Sequence, residues 1–114
     1  MPFDGELTLY LKPAPVVTET SAQRIIREAR AMLSDETAWC KGQLKHETAH
    51  CILGALRVAT SGNPYRAGTG GASRYVARAA RQRGFTGIQS FNDSFTTHAQ
   101  MLAVLDRAYA LAGA

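Results

Sequence analysis

The pattern of hydrophobic and polar positions predicts four helices. The clearest begins after Thr20, where a hydroxyl residue is followed three residues later by Gln23, the pattern of a helix capping box. Beyond it, apolar residues recur at helical spacing and charged residues occupy the opposite side. The apolar positions are Ile25, Ile26, Ala29, Met32 and Leu33. This spacing indicates an amphipathic helix that packs one side on a core.

Three more helices are predicted from apolar spacing and from start and stop signals. The first runs from near Thr48 to Thr60 and is followed by a stretch containing glycine and proline. The second begins with Ser73 as its N-cap and reaches Arg83. The last follows a second capping box at residues 97–100.

Two short segments are predicted to be β-strands. In residues 6–12, leucines alternate with polar or amphipathic residues, which is typical of a half-buried strand. Two prolines then end that segment and favour an extended linker. A short strand around Ile88 is the natural partner, although the first strand could instead pair with another chain.

These elements predict an α+β fold that is mostly helical. It has about four helices and a minor two-stranded β element that includes the N-terminal strand. Residues 1–19 are expected to form the strand and proline-containing linker, and residues 20–114 a single helical domain. A chain of 114 residues is the usual size of one domain.

Composition narrows the function only slightly. The net charge of +4 and the pI of about 9.4 permit an acidic partner or nucleic acid without requiring either. No apolar run approaches the roughly 20 residues of a membrane helix, and the first residues lack the features of a signal peptide. We therefore expect a cytoplasmic protein without a membrane partner, whose two cysteines are free thiols.

The most conspicuous motif is H-E-x-x-H, formed by His46, Glu47 and His50. On a helix, the two histidines lie one turn apart and can bind one zinc ion, while the glutamate acts as general base on a bound water. The site needs a third protein ligand, such as His98, Cys40 or a carboxylate. A zinc-dependent hydrolase with zinc as its cofactor is therefore an alternative to a protein with no catalytic residue and no cofactor.

Two further hypotheses concern the cysteines, as ligands of a structural zinc ion or as a catalytic nucleophile. Cys40, His46, His50 and Cys51 are residue types that suit a structural zinc site, but they form no C-x-x-C pair. Cys40 could act as a nucleophile only beside a base, and nothing in the sequence fixes one there. The simpler interpretation is that both cysteines are small buried side chains.

The third predicted helix carries a basic side that contains Arg74, Arg78 and Arg81. Such a surface can bind phosphates or an acidic protein. No aromatic residues interleave with these arginines to stack bases, and no recognition motif frames them. We take the three arginines as binding residues and keep nucleic acid as an alternative partner.

The order of several short motifs resembles a known family. W-C-K-G stands at residues 39–42, C-I-L-G-A-L at 51–56, F-N-D at 91–93 and L-D-R-A at 105–108. Together, over about residues 21–112, they resemble the small bacterial and phage domains catalogued as domain of unknown function 6197. The resemblance implies no activity. It implies core and turn roles for the shared positions Trp39, Gly42, Cys51, Gly54, Asn92 and Asp93.

The resemblance also bears on the H-E-x-x-H motif, because in similar chains that stretch is a variable turn. It further suggests an anion site built on an arginine after N-D, but here residues 94–97 are S-F-T-T. We therefore expect a small non-catalytic binding or regulatory module, encoded by a phage or mobile element, that acts on a protein partner. Self-association through the N-terminal strand is a further expectation.

Overall fold

The computed structural model of the protein describes residues 18–114. In that part the chain forms five helices, a short 3₁₀ turn and one two-stranded antiparallel sheet, which confirms the mostly helical α+β fold. The predicted strand at residues 6–12 lies outside the described residues, so its pairing stays a prediction. The elements are α1 (Ser21–Met32), the 3₁₀ turn (Glu36–Ala38), β1 (Lys45–His46), β2 (Ala49–His50), α2 (Ile52–Ser61), α3 (Ala72–Gln82), α4 (Ile88–Asn92) and α5 (His98–Ala112).

Both predicted capping boxes are present. The Thr20 hydroxyl accepts the Gln23 backbone N–H at 3.0 Å, and the Gln23 side chain accepts the Thr20 N–H at 3.1 Å. Thr97 and Gln100 make the same reciprocal pair at the start of α5, at 3.1 and 2.9 Å. Each box satisfies two backbone donors that a helix start otherwise leaves without partners.

The core lies between the four longer helices, with α1 packed on α2 and α5, and α3 packed on α5. Each large apolar side chain that is fully buried contributes roughly 1.5–3 kcal/mol. The largest of them are Phe91, Ile26, Leu33, Ile52, Leu56, Met101, Leu105, Val76 and Val104. None of the helices in residues 18–114 has the length and apolar character needed to cross a membrane.

The predicted start of the second helix near Thr48 is wrong. Residues 45–50 form a hairpin instead, and α2 begins at Ile52 with Cys51 as its N-cap. The Cys51 sulfur accepts the Gly54 N–H at 3.3 Å, and the Cys51 N–H donates to the Leu44 carbonyl at 3.2 Å. These bonds fix the turn before α2, so the helix cannot extend back into the hairpin.

The predicted strand around Ile88 is also wrong, because this residue begins the short helix α4. Phe91 and Asn92 are consecutive and both fully buried, whereas consecutive residues of a strand point to opposite faces. Phe91 packs edge-on against Phe85, with ring centroids 5.1 Å apart. The two-stranded sheet of the fold is therefore the hairpin, not a pair that includes Ile88.

The helix predicted from Ser73 to Arg83 is confirmed with a shifted start. It begins at Ala72, and Gly71, with φ of 84°, occupies the N-cap. Ser73 lies inside the first turn, where its N–H donates to the Thr69 hydroxyl at 3.3 Å. A glycine at the N-cap allows the left-handed backbone that turns the preceding loop into the helix.

Candidate functional site

Asn92 is the centre of a hydrogen-bonded cluster that joins distant parts of the chain. Its side chain is fully buried at the end of α4. The amide oxygen accepts the indole N–H of Trp39 at 2.8 Å and the backbone N–H of Ile52 at 3.0 Å. One side chain thus holds the segment after the 3₁₀ turn and the first residue of α2.

The Asn92 amide nitrogen completes the cluster by donating to the Cys40 carbonyl at 3.1 Å and to the Asp93 carboxylate at 2.9 Å. The same Asp93 oxygen accepts the Gly42 N–H at 2.9 Å. Gly42 has a φ of +84°, a conformation that residues with a Cβ rarely adopt. All the hydrogen-bonding capacity of the Asn92 amide is therefore used within the protein.

Cys51 and Gly54 lie at the start of α2, where they contact the end of the loop that contains Gly42. A Cβ on Gly54 would stand 2.1 Å from the Leu44 carbonyl oxygen, so only glycine allows α2 to approach this backbone. Through these contacts the structure brings together all six positions that the family resemblance singles out. These six residues form a structural cluster that is held together by hydrogen bonds within the protein.

Lys41 belongs to the same region and was missed by the sequence reasoning. Its ammonium group stands 4.9 Å from the centre of the Trp39 ring and donates to the backbone carbonyls of Ser94 and of Thr96, the latter at 2.8 Å. The only sequence signal was its place inside W-C-K-G. Because it donates to two carbonyl groups, this lysine connects the loop between the 3₁₀ turn and β1 to the segment after α4.

A shallow cavity of about 310 Å³ adjoins the residues that Lys41 bonds. Its lining consists of Phe85, Ser94, Phe95, Thr96 and Gln100. None of these side chains titrates near neutral pH, and the Phe95 ring is fully exposed. The cavity therefore offers apolar contact and two hydroxyl groups, but its lining contains no acidic or basic side chain.

The H-E-T-A-H segment is a hairpin, not the helix that an H-E-x-x-H zinc site requires. His46 pairs with Ala49 and Lys45 pairs with His50, so the two histidines point to opposite faces of the hairpin. Glu47 stands at the turn with φ of 55°. The arrangement separates the two imidazoles that the zinc hydrolase hypothesis places on one helix face.

Other potential metal ligands do not compensate for this separation. Within residues 18–114, no group of three or more His, Cys, Asp or Glu side chains is placed to hold a metal ion. His98 lies elsewhere, where its Nε2–H donates to the Leu33 carbonyl at 2.7 Å. Burial, and to a lesser extent the charge of Lys45, lowers the pKa of His50.

Neither cysteine has the lowered thiol pKa that marks a catalytic nucleophile. Burial is the main cause that raises the pKa of Cys40, and the charge of Cys51 raises it further. Burial also raises the pKa of Cys51, which is fully buried. A catalytic cysteine needs a lowered pKa, so these shifts run opposite to what nucleophilic catalysis requires.

The structure places Arg74, Arg78 and Arg81 together on the exposed side of α3. The guanidinium carbons of Arg74 and Arg78 stand 5.0 and 5.9 Å from the centre of the Tyr75 ring. The expectation that no aromatic residue interleaves with these arginines is wrong, because the half-buried Tyr75 ring contacts both Arg74 and Arg78. We call this set, Arg74, Tyr75, Arg78 and Arg81, the arginine face.

The arginines of α1 behave differently. Arg24, Arg27 and Arg30 each form an ion pair, with Glu28, Glu19 and Asp106 respectively. Within residues 18–114, the arginine face has no ion pair. In the part of the chain that the structure describes, no carboxylate therefore neutralises these three guanidinium groups.

Comparison with known proteins identifies a family but no characterised relative. No curated protein and no solved structure matches the chain. The family described as "Family of unknown function (DUF6197)" matches residues 17–111, a span that includes the Asn92 cluster and the arginine face. The chain therefore belongs to the family of unknown function DUF6197.

Proposed function

We propose that the protein is a small non-catalytic binding module whose arginine face engages an acidic surface on a protein partner. The observation that carries the proposal is the contrast between α1 and α3. On α1 the arginines are neutralised by carboxylates of the same chain, whereas Arg74, Arg78 and Arg81 have no such partner among residues 18–114.

The arrangement of the arginine face supports this role. Positions 74, 78 and 81 follow the spacing of one helix face, and like charges at that spacing destabilise a helix by about 0.2–0.5 kcal/mol per pair. Tyr75 limits the freedom of two of the side chains by contact with their guanidinium groups. Preorganised, unneutralised arginines favour binding because less rotamer entropy is lost when a partner arrives.

Matched charge reversals test the proposal. Protein carrying Arg78→Glu or Arg24→Glu is compared with wild type in affinity capture from nuclease-treated bacterial lysate, and affinity for the recovered partner is then measured. Both changes alter the net charge equally, but only Arg78 belongs to the arginine face. We expect Arg78→Glu to weaken binding tenfold or more and Arg24→Glu to have little effect. Equal losses for the two variants, or no partner at all, would contradict the proposal.

A second candidate function is nucleic-acid binding through the same face. The observation in its favour is the partly exposed Tyr75 ring between two arginines, since surfaces that bind single strands combine basic and aromatic side chains. Fluorescence anisotropy with labelled single-stranded and duplex oligonucleotides separates the two functions. Affinity that falls steeply with salt and is lost in Arg78→Glu favours nucleic acid, whereas absent binding at low salt excludes it.

A further inference from the structure

The backbone around Trp39 and His50 places the two cysteines side by side. Trp39 and His50 form a parallel β-bridge, in which the Cys40 N–H donates to the His50 carbonyl at 3.0 Å. Extending the register of this bridge by one residue places Cys40 opposite Cys51. Neighbouring strands are about 4.8 Å apart, and opposite residues of a parallel pair point to the same face. A disulfide needs roughly 4.4–6.8 Å between Cα atoms, so the backbone spacing suits one.

The surroundings of the two thiols are consistent with this placement. Both cysteines are free, and Cys40 is the more accessible because it is half-buried while Cys51 is fully buried. The intervening chain folds back on the pair, with the Cys40 sulfur 3.5 Å from the Gln43 carbonyl and the Cys51 N–H bonded to the Leu44 carbonyl. The charge of Cys51 also acts on the Cys40 thiol, as expected for neighbours.

We propose that Cys40 and Cys51 are a redox modification site that closes into a reversible intramolecular disulfide when the protein meets an oxidised low-molecular-weight thiol. The Cys40 thiolate attacks one sulfur of the small disulfide, whose S–S bond breaks and releases one thiol that takes up the proton. The Cys51 thiolate then attacks the Cys40 sulfur and releases the second thiol in the same way. Two electrons pass from the cysteines to the oxidant, and both protons leave with it.

The bond has a structural consequence, because it covalently closes residues 41–50. That loop contains Gly42, which in the reduced protein is held to Asp93 by one hydrogen bond. Restricting the loop in the unfolded chain stabilises the folded state. The sulfur of Cys51 can remain at the start of α2, where it accepts the Gly54 N–H at 3.3 Å.

The test uses the reduced full chain in buffers of reduced and oxidised glutathione. After quenching with an alkylating reagent, intact mass and peptide mapping report the state of each cysteine. We expect oxidised protein to carry no alkyl group, to have lost two hydrogens and to yield linked peptides containing Cys40 and Cys51. Its Tm should rise by roughly 5 °C or more and return to the starting value with dithiothreitol.

Two variants control the assignment. In Cys51→Ser, where serine can still cap α2, a stable glutathione adduct should accumulate on Cys40. In Cys40→Ser, the buried Cys51 should stay unmodified until the protein unfolds. The proposal is overturned if the folded wild type keeps two alkylatable thiols, stops at the glutathione adduct, or forms only intermolecular disulfides in buffers that modify Cys51→Ser.

Discussion

At the scale of single residues, the buried Asn92 side chain joins distant parts of the chain through its hydrogen bonds. The family resemblance implies a core or turn role for Asn92, but its side chain bonds Trp39, Cys40 and Ile52, between 40 and 53 positions away. No local pattern encodes such pairings. The family resemblance marks Trp39, Gly42 and Asn92 as important positions, and only the folded chain gives the reason.

Replacing Asn92 with alanine should lower the free energy of unfolding by about 2–4 kcal/mol, because buried donors on Trp39 and Ile52 lose their acceptor. Urea unfolding followed by tryptophan fluorescence measures the loss. Asn63→Ala is the control, since its exposed side chain accepts one bond from the Tyr65 N–H and should cost below about 0.5 kcal/mol. Similar losses for both variants would mean that the Asn92 cluster has no special stabilising role.

Gly54→Ala should also destabilise the protein, although alanine normally favours a helix by up to about 1 kcal/mol. The added Cβ would meet the Leu44 carbonyl oxygen at 2.1 Å, so backbone must move. We expect a loss of about 1–3 kcal/mol in urea unfolding, as for other overpacked sites. Thr60→Ala, on the exposed end of the same helix, should change stability by less than about 0.5 kcal/mol. A Gly54→Ala variant at least as stable as wild type would contradict the packing argument.

At the scale of elements, the helices that could be predicted from the sequence are those marked by short local motifs. The capping boxes at Thr20 and Thr97 predict α1 and α5 because all their bonds lie within three residues. The hairpin at residues 45–50 has only two residues in each strand, too few for a period to show. Helix α4, with five residues, is equally short, and Ile88 alone cannot separate helix from strand.

Glu19, in the segment before α1, should make the free energy of unfolding depend on pH in the acid range. The Glu19 carboxylate accepts two bonds from Arg27, at 2.9 and 3.0 Å, and one from the Tyr109 hydroxyl at 2.6 Å. The bonds from Arg27, then that from Tyr109, lower the pKa of Glu19 from 4.5 to about 2. Since the folded state holds the charged form, this stabilisation is present above pH 4.5 and is lost as the pH falls towards 2.

Glu19→Gln should therefore flatten the acid side of the stability profile. Urea midpoints measured between pH 2 and pH 7 should fall less steeply for the variant than for wild type in the window set by the Glu19 pKa values of about 2 and 4.5. Glu28→Gln is the matched control, because among residues 18–114 Glu28 pairs only with Arg24, on the exposed surface of α1. Parallel profiles for wild type and Glu19→Gln would show that the Arg27 and Tyr109 bonds do not couple Glu19 to folding.

The hairpin makes a prediction about zinc. With His46 and His50 on opposite faces, one zinc ion cannot bind both, so added zinc should leave Tm unchanged within about 1 °C. Metal analysis of protein purified without a histidine tag should give sub-stoichiometric zinc. Any zinc found should be unaffected by His50→Ala. Stoichiometric zinc that disappears in His50→Ala would restore the hydrolase alternative with Glu47 as its base.

At the scale of the whole molecule, six arginines form two sets with different contacts, the three of α1 and the three of the arginine face. The set on α1 forms ion pairs, and one of them, between Arg30 and Asp106, links α1 to α5. Within residues 18–114, the arginine face of α3 forms no ion pair, and two of its arginines contact the Tyr75 ring. The net charge of +4 hides this division, because it counts both sets alike.

Two triple variants test the division, because each removes three positive charges from the protein. Changing Arg74, Arg78 and Arg81 to glutamine should leave the free energy of unfolding within about 0.5 kcal/mol of wild type, since relief of repulsion offsets the lost contacts with Tyr75. Glutamine at the three paired arginines of α1 should lower the free energy of unfolding by more than this, because three exposed ion pairs are lost. Urea unfolding at low and at high salt measures the free energy of unfolding of both variants. High salt should reduce the difference between them, because it screens the ion pairs of α1. Equal destabilisation would assign the arginine face to folding and remove the main support for a binding role.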